Sequence, residues 1–136
     1  MIRKFGFVAA TVLLSIGQAN AQEASVGKDI FDQYCATCHG HDAMGAGPLT
    51  ELMTEKPSDL TMLAANNTAE PGVFPMLHVI HVIDGRTGLR AHGGPMPTYG
   101  EIFSAEVEDE MENYGAVLET RGRILSLALY LESLQR

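Results

Sequence analysis

The sequence predicts an all-α fold of three to five short helices, and three observations carry that expectation. Near the start, Gly27, Ile30, Phe31, Tyr34 and Cys35 recur at i, i+3, i+4, i+7 and i+8, the spacing of one apolar helical face. Near the end, Ile124, Leu127, Ala128, Leu131 and Leu134 fall at i, i+3, i+4, i+7 and i+10, again one helical face. Between them, residues 40–72 are rich in Gly, Pro, Asn, Asp and Thr, and read as turns rather than strands.

The elements follow in order. Residues 1–21 open Met-Ile-Arg-Lys, run apolar from Phe5 to Ile16 and finish Ala19-Asn20-Ala21. A basic start, a short apolar core and an Ala-x-Ala site form a secretory signal peptide, too short for a comfortable permanent span. Cleavage would leave residues 22–136 as one soluble, exported domain in the periplasm, without a permanent membrane span. A first helix is expected over 26–38, capped by Ser25. A short helix over 50–55 and a turn near Ser58 follow. The apolar run 73–83, with His78 and His81 on one side, predicts a helix ended by Gly85, with a strand as the alternative for its β-branched residues. Residues 85–97 hold four glycines, two prolines, His92 and Met96 and predict a loop. A short helix after Pro97, an acidic run over 106–112 and a terminal helix over about 116–134 complete the chain. That terminal helix is expected to turn Leu118, the stem of Arg121 and Leu125 inward as well.

Charge narrows the partners. The chain carries seventeen acidic and nine basic residues, a net charge of −8. The signal segment removes Arg3 and Lys4 and no acid, so the remainder is more acidic still. Such a surface repels nucleic acid phosphates and anionic lipid, and suits a partner with a basic docking face. The acidic run reads as a solvated face, with partner docking or metal binding as alternatives.

The chemistry is concentrated in residues 35–39, Cys-Ala-Thr-Cys-His, which use both cysteines of the chain. C-x-x-C-H is the pattern of covalent haem attachment. Two thiols three residues apart lie on one side of a helical turn and can add across the two haem vinyl groups. The next residue, His39, then delivers its imidazole to the iron. A disulfide or thioredoxin-like pair would want a βαβ context, and zinc would want a second ligand pair; neither pattern is present.

From Gly27 through Phe31 to Cys35, Cys38, His39 and Gly40 the sequence resembles the N-terminal helix and attachment site of class I c-type cytochromes. The likeness continues through Gly45-Ala-Gly47-Pro48-Leu49, Pro57-Ser-Asp-Leu-Thr61 and Pro95-Met96-Pro97, and ends in the terminal helix. It implies a cytochrome c fold wrapped around one covalent haem. It also implies that Gly27 and Phe31 pack on the terminal helix at Leu127 and Tyr130, and that the Pro48 carbonyl accepts the second imidazole N–H of His39. Met96, in a proline-stiffened loop 57 residues beyond His39, matches the family's distal methionine and is the expected sixth ligand. His92, His78 and His81 are its rivals, and an open iron site is the remaining alternative. Met53, Met62 and Met76 read as core or haem-wall residues. Tyr99, Arg86 and Arg90 are candidates for bonding the haem propionates.

The reading that follows is a periplasmic one-electron carrier with His/Met ligation, rather than an enzyme, exchanging electrons with redox partner proteins. The alternatives are a haem subunit of a periplasmic dehydrogenase or oxidase complex, and a sensor or peroxidase with an open sixth site.

Overall fold

The computed structural model describes residues 24–86, 96–107 and 112–136. Five α-helices and two 3-10 turns make up the described regular structure, with no strand among those residues. The all-α expectation therefore holds. The segment expected to be a signal peptide, 1–21, lies outside the described residues, as do Arg90, His92 and residues 108–111 of the acidic run.

Helix α1 spans 24–34 and buries Gly27, Ile30 and Phe31. The expected single helix over 26–38 instead breaks at Cys35, whose φ is −113°, and resumes as α2, Ala36–His39. The break is a tightened turn: Cys38 N–H and His39 N–H both donate to the Cys35 carbonyl, at 3.1 and 2.9 Å. The chain stays helical enough to keep both thiols on one turn, then leaves at Gly40.

Two 3-10 turns occupy the middle, Pro48–Leu52 and Leu60–Met62. The first replaces the helix expected over 50–55. Pro48 sits at its first position with φ preset, so the turn starts earlier and ends before a full α-turn develops. The second is capped by Asp59, whose carboxylate accepts from Thr61 N–H at 2.9 Å.

Helix α3 runs Met76–Asp84, which settles the run 73–83 as helix. It starts three residues later than expected because Phe74 precedes Pro75, and a residue before proline is pushed out of the helical region. Gly85 ends it in the left-handed conformation (φ 69°) and returns its N–H to the His81 carbonyl at 3.0 Å. Helix α4, Tyr99–Val107, follows Pro97 as expected, and α5, Asn113–Ser133, is the long scaffold. Helices α3 and α4 pack on α5 and on each other.

The buried stripe of α5 is Ala116, Thr120, Ile124, Leu127, Ala128 and Leu131. Leu118, Arg121 and Leu125 are exposed, contrary to the sequence expectation. They lie about one residue step, roughly 100°, around the helix from that stripe. Thr120 lies in it, 1% exposed, and its hydroxyl is 3.4 Å from that of Ser104 on α4.

Helix α1 crosses α5 where the resemblance implied. A Cβ on Gly27 would collide with the Ser126 carbonyl oxygen and lie 2.7 Å from Tyr130 Cβ. The Phe31 and Tyr130 rings meet with centroids 5.5 Å apart. Phe31 and Leu127 are 0% and 1% exposed. Nearby, Tyr34, Tyr99 and Phe103 form an aromatic cluster. Tyr34 Oη donates to Glu106 at 2.8 Å, and Arg123 joins Glu106 and Glu119 at 2.8 and 2.9 Å. One network thus ties α1, α4 and α5, and Glu106 is more than a solvated charge.

Candidate functional site

The break at Cys35 and helix α2 deliver two thiols and an imidazole to one place. Cys35, Cys38 and His39 line a chamber of about 240 Å³, whose wall also includes Met53, Met96 and Tyr99. Cys35, His39 and Met96 also line a second chamber of about 210 Å³. The second is closed by apolar side chains of α3 and α5, among them Val79, Ile83, Leu127 and Leu131. The two chambers share Cys35, His39, Ser58 and Met96, and their combined size falls within the roughly 300–1,000 Å³ of small-molecule and cofactor sites.

Backbone bonds fix the turn. Gly45 N–H donates to the His39 carbonyl at 2.8 Å, and Gly47 N–H to the Cys38 carbonyl at 3.0 Å. Thr50 Oγ1 donates to the same Cys38 oxygen at 3.1 Å. The 3-10 turn at Pro48–Leu52 is thereby anchored directly beside the second cysteine.

The imidazole of His39 is held by Ser58: Nδ1 lies 3.1 Å from the Ser58 carbonyl oxygen. A carbonyl only accepts, so Nδ1 carries the proton and Nε2 keeps its lone pair. Burial lowers the His39 pKa, the Ser58 contact pulling the other way, and a neutral ring results. This corrects the expectation for Pro48. Pro48 lines neither chamber, and its carbonyl falls within the i→i+3 pattern of the 3-10 turn that it opens.

Ser58 is in turn held from the end of the chain. Gln135 bridges the 3-10 turn beyond Ser58, accepting from Ala64 N–H and donating to the Leu60 carbonyl, both at 2.8 Å. Arg136 donates to Thr61 Oγ1 at 2.8 Å and to Asp59 at 3.0 Å. On the other side, Leu60 N–H donates to the Ala43 carbonyl at 2.8 Å.

The thiols form no disulfide. Burial, with Cys38 adjacent, pushes the Cys35 thiol up to about 12, so it is protonated at neutral pH. No three His, Cys, Asp or Glu side chains cluster as metal ligands among the described residues.

The other expected contributors have partners of their own or divide between the chambers and the surroundings. Tyr99 Oη donates to the Tyr34 carbonyl at 2.7 Å, which satisfies the end of α1. Arg86 is engaged by Asp84, 2.7 Å from Nε. His78 reaches the second chamber, while His81 lines neither. Ser58 and Tyr34 line the site, where the sequence had suggested only a turn at Ser58 and an apolar helical face at Tyr34.

The sequence profile of the family described as Cytochrome c matches residues 24–114, about two thirds of the chain. The chain belongs to the cytochrome c family. No curated protein and no solved structure matched it. The chemistry of the cytochrome c family is haem binding and one-electron transfer. The residues present fit that group: two thiols on one turn, a neutral imidazole with one nitrogen already committed, a soft thioether and a largely apolar wall. The aliphatic side chains of α3 and α5 would supply the low-dielectric face against a porphyrin, and Met53 forms part of the other wall as expected. Among the described residues no helix is long and apolar enough to cross a membrane.

Proposed function

We propose that this cytochrome c is a periplasmic one-electron carrier, with haem joined to Cys35 and Cys38, and with His39 and Met96 as its axial ligands. The observation that carries this reading is the sharing of both chambers by His39 and Met96, with Cys35 lining both as well. When bound, the haem supplies the reversible Fe(II)/Fe(III) couple. The chain supplies the rest. His39 is oriented and made more basic by the Ser58 carbonyl. Met96 offers a soft sulfur, which favours the ferrous state and raises the reduction potential. The apolar walls exclude water, and two strong axial ligands leave no position for substrate.

The test is optical spectroscopy of the protein made in a host with haem-attachment machinery. A low-spin c-type spectrum, a sulfur-to-iron charge-transfer band when oxidised and no carbon monoxide binding are expected. Met96→His should keep covalent haem, abolish the charge-transfer band and lower the potential. An unchanged potential and band in that variant would eliminate Met96 as the ligand.

A further inference from the structure

Helix α5 is apolar on more than its core side. Outside the buried stripe, Tyr114, Val117, Leu118 and Leu125 are 77%, 45%, 51% and 43% exposed, and Leu129 is half-buried. Tyr114, Leu118, Leu125 and Leu129 follow one another at helical spacing, so they form a second stripe about 22 Å long. A surface helix normally turns charged and polar side chains to water, and a helix that is apolar all round is a buried one. Within one copy of the chain this second stripe stands in water.

Charge and spacing on the stripe point to what covers it. From Asn113 to Leu131 the charged residues are Glu119, Arg121 and Arg123, and Glu119 pairs with Arg123 at 2.9 Å. The chain as a whole carries −8. The outer face of α5 is thus a stretch without net negative charge, over which two acidic copies can approach. The stripe also reads alike from either end. Leu118 and Leu125 are equally far from a midpoint between Arg121 and Gly122, and so are Tyr114 and Leu129. Two α5 helices laid antiparallel about a two-fold axis at that midpoint set Leu118 against Leu125 of the second copy, and Tyr114 against Leu129, each contact made twice. At the axis Gly122 has no side chain to clash, and Arg121 can lay its stem on the seam and turn its guanidinium to water.

We infer that the outer face of α5 is a self-association surface, on which two copies of this chain pair antiparallel through Tyr114, Leu118, Leu125 and Leu129. The inference does not depend on the electron-carrier reading. The seam leaves the cofactor chambers untouched, because α5 gives Leu127 and Leu131 to them and both belong to its buried stripe. A seam about 22 Å long and one helix wide, about 10 Å, is smaller than the roughly 800 Å² per partner of a standard interface, so the dimer is of the transient kind and forms as concentration rises.

The test is sedimentation equilibrium of the haem-loaded protein, read at the haem absorbance, from about 10 μM to about 1 mM. The average mass should rise from that of one chain toward that of two. It should rise further with added salt, which screens the repulsion between two acidic copies. Leu118→Glu and Leu125→Lys should each raise the dissociation constant by roughly tenfold or more, by placing a charge without a partner in the seam. Both positions are exposed in the single chain, so far-ultraviolet circular dichroism should be unaltered. Mixed in equal amounts, the two variants should associate again, because antiparallel pairing sets the new acid against the new base. Leu49→Glu with Leu52→Glu, exposed positions on the first 3-10 turn, should leave association unchanged.

A wild-type protein that stays monomeric across the range would overturn the inference. So would a dimer that the α5 variants leave intact, or one that Leu49→Glu with Leu52→Glu dissolves. A mixture no more associated than either variant alone would overturn the antiparallel pairing. Sedimentation of the wild-type protein with phosphatidylcholine vesicles, abolished by Leu118→Glu, would give the stripe to lipid instead of a second copy.

Discussion

Gly27→Ala and Gly122→Ala make the same chemical change in two helices and should move stability in opposite directions. Alanine in a helix is favoured over glycine by about 0.5–1 kcal/mol. At Gly122, on the exposed side of α5, an added Cβ meets nothing within 4 Å, so that gain should appear in full. At Gly27 the added Cβ collides with the Ser126 carbonyl oxygen and comes within 2.7 Å of both Ser126 C and Tyr130 Cβ. Carbon atoms rest at about 3.5–4.0 Å, so the helices must separate by roughly 1 Å. Backbone cannot swing aside as a side chain can, and separation pulls Phe31 off Tyr130 along the same crossing. Overpacking of this kind costs about 1–3 kcal/mol, which exceeds the propensity gain. Thermal unfolding of the haem-loaded protein, followed by far-ultraviolet circular dichroism, should therefore show a melting temperature lowered by several degrees for Gly27→Ala and raised by a few for Gly122→Ala. If the two variants shift in the same direction, close packing of α1 on α5 is not what selects glycine at position 27.

Further outcomes follow from the networks around the site. Tyr34→Phe removes the bond to Glu106 while Arg123 still pairs that carboxylate, so urea unfolding should show a loss of only about 1 kcal/mol. The Arg86 guanidinium holds Asp84 below its ordinary value of 3.8. The unfolded chain therefore binds the proton more readily, and the contribution of the pair is present above the ordinary carboxylate range and lost as pH falls through the lower folded value. Asp84→Asn should flatten the acid limb of stability against pH relative to wild type; identical limbs would dismiss the pair as a source of acid sensitivity. Gln135→Leu cuts the ties to Ala64 and Leu60 and should loosen Ser58, giving a broadened or partly high-spin haem spectrum with attachment intact. An unaltered spectrum would mean that Ser58 is held without it.

What could be read from sequence was whatever is local or rigidly spaced. The attachment motif, the α1 stripe and the Gly85 stop depend on neighbours within one or two turns, and each appears where expected. The Gly27 crossing was legible only through the resemblance to class I c-type cytochromes; the apolar stripe by itself called for burial and named no partner helix. The errors share a physical origin in tertiary competition. Leu118 and Leu125 are as hydrophobic as Leu127, and only the direction of α5 relative to α3 and α4 decides which of them is buried. Pro48 and Ser58 both lie in motifs that follow His39, and local sequence does not rank their carbonyls. In the fold the Ser58 carbonyl takes the imidazole bond, and the chain terminus fastens the turn just beyond it. No periodicity encodes that fastening, since Gln135 and Arg136 are more than seventy residues from the atoms that they hold.

That long tie separates two stages in the maturation of the protein. On the proposed attachment, residues 35–39 supply both thiols and the imidazole, and they are made early. The segment that holds the imidazole gains its remaining ties when residues 135 and 136 reach back to the turn at 59–64. A shortened chain would thus accept the pigment but hold its iron badly. The last two side chains act as a seal, and ligand field strength reports whether that seal has closed.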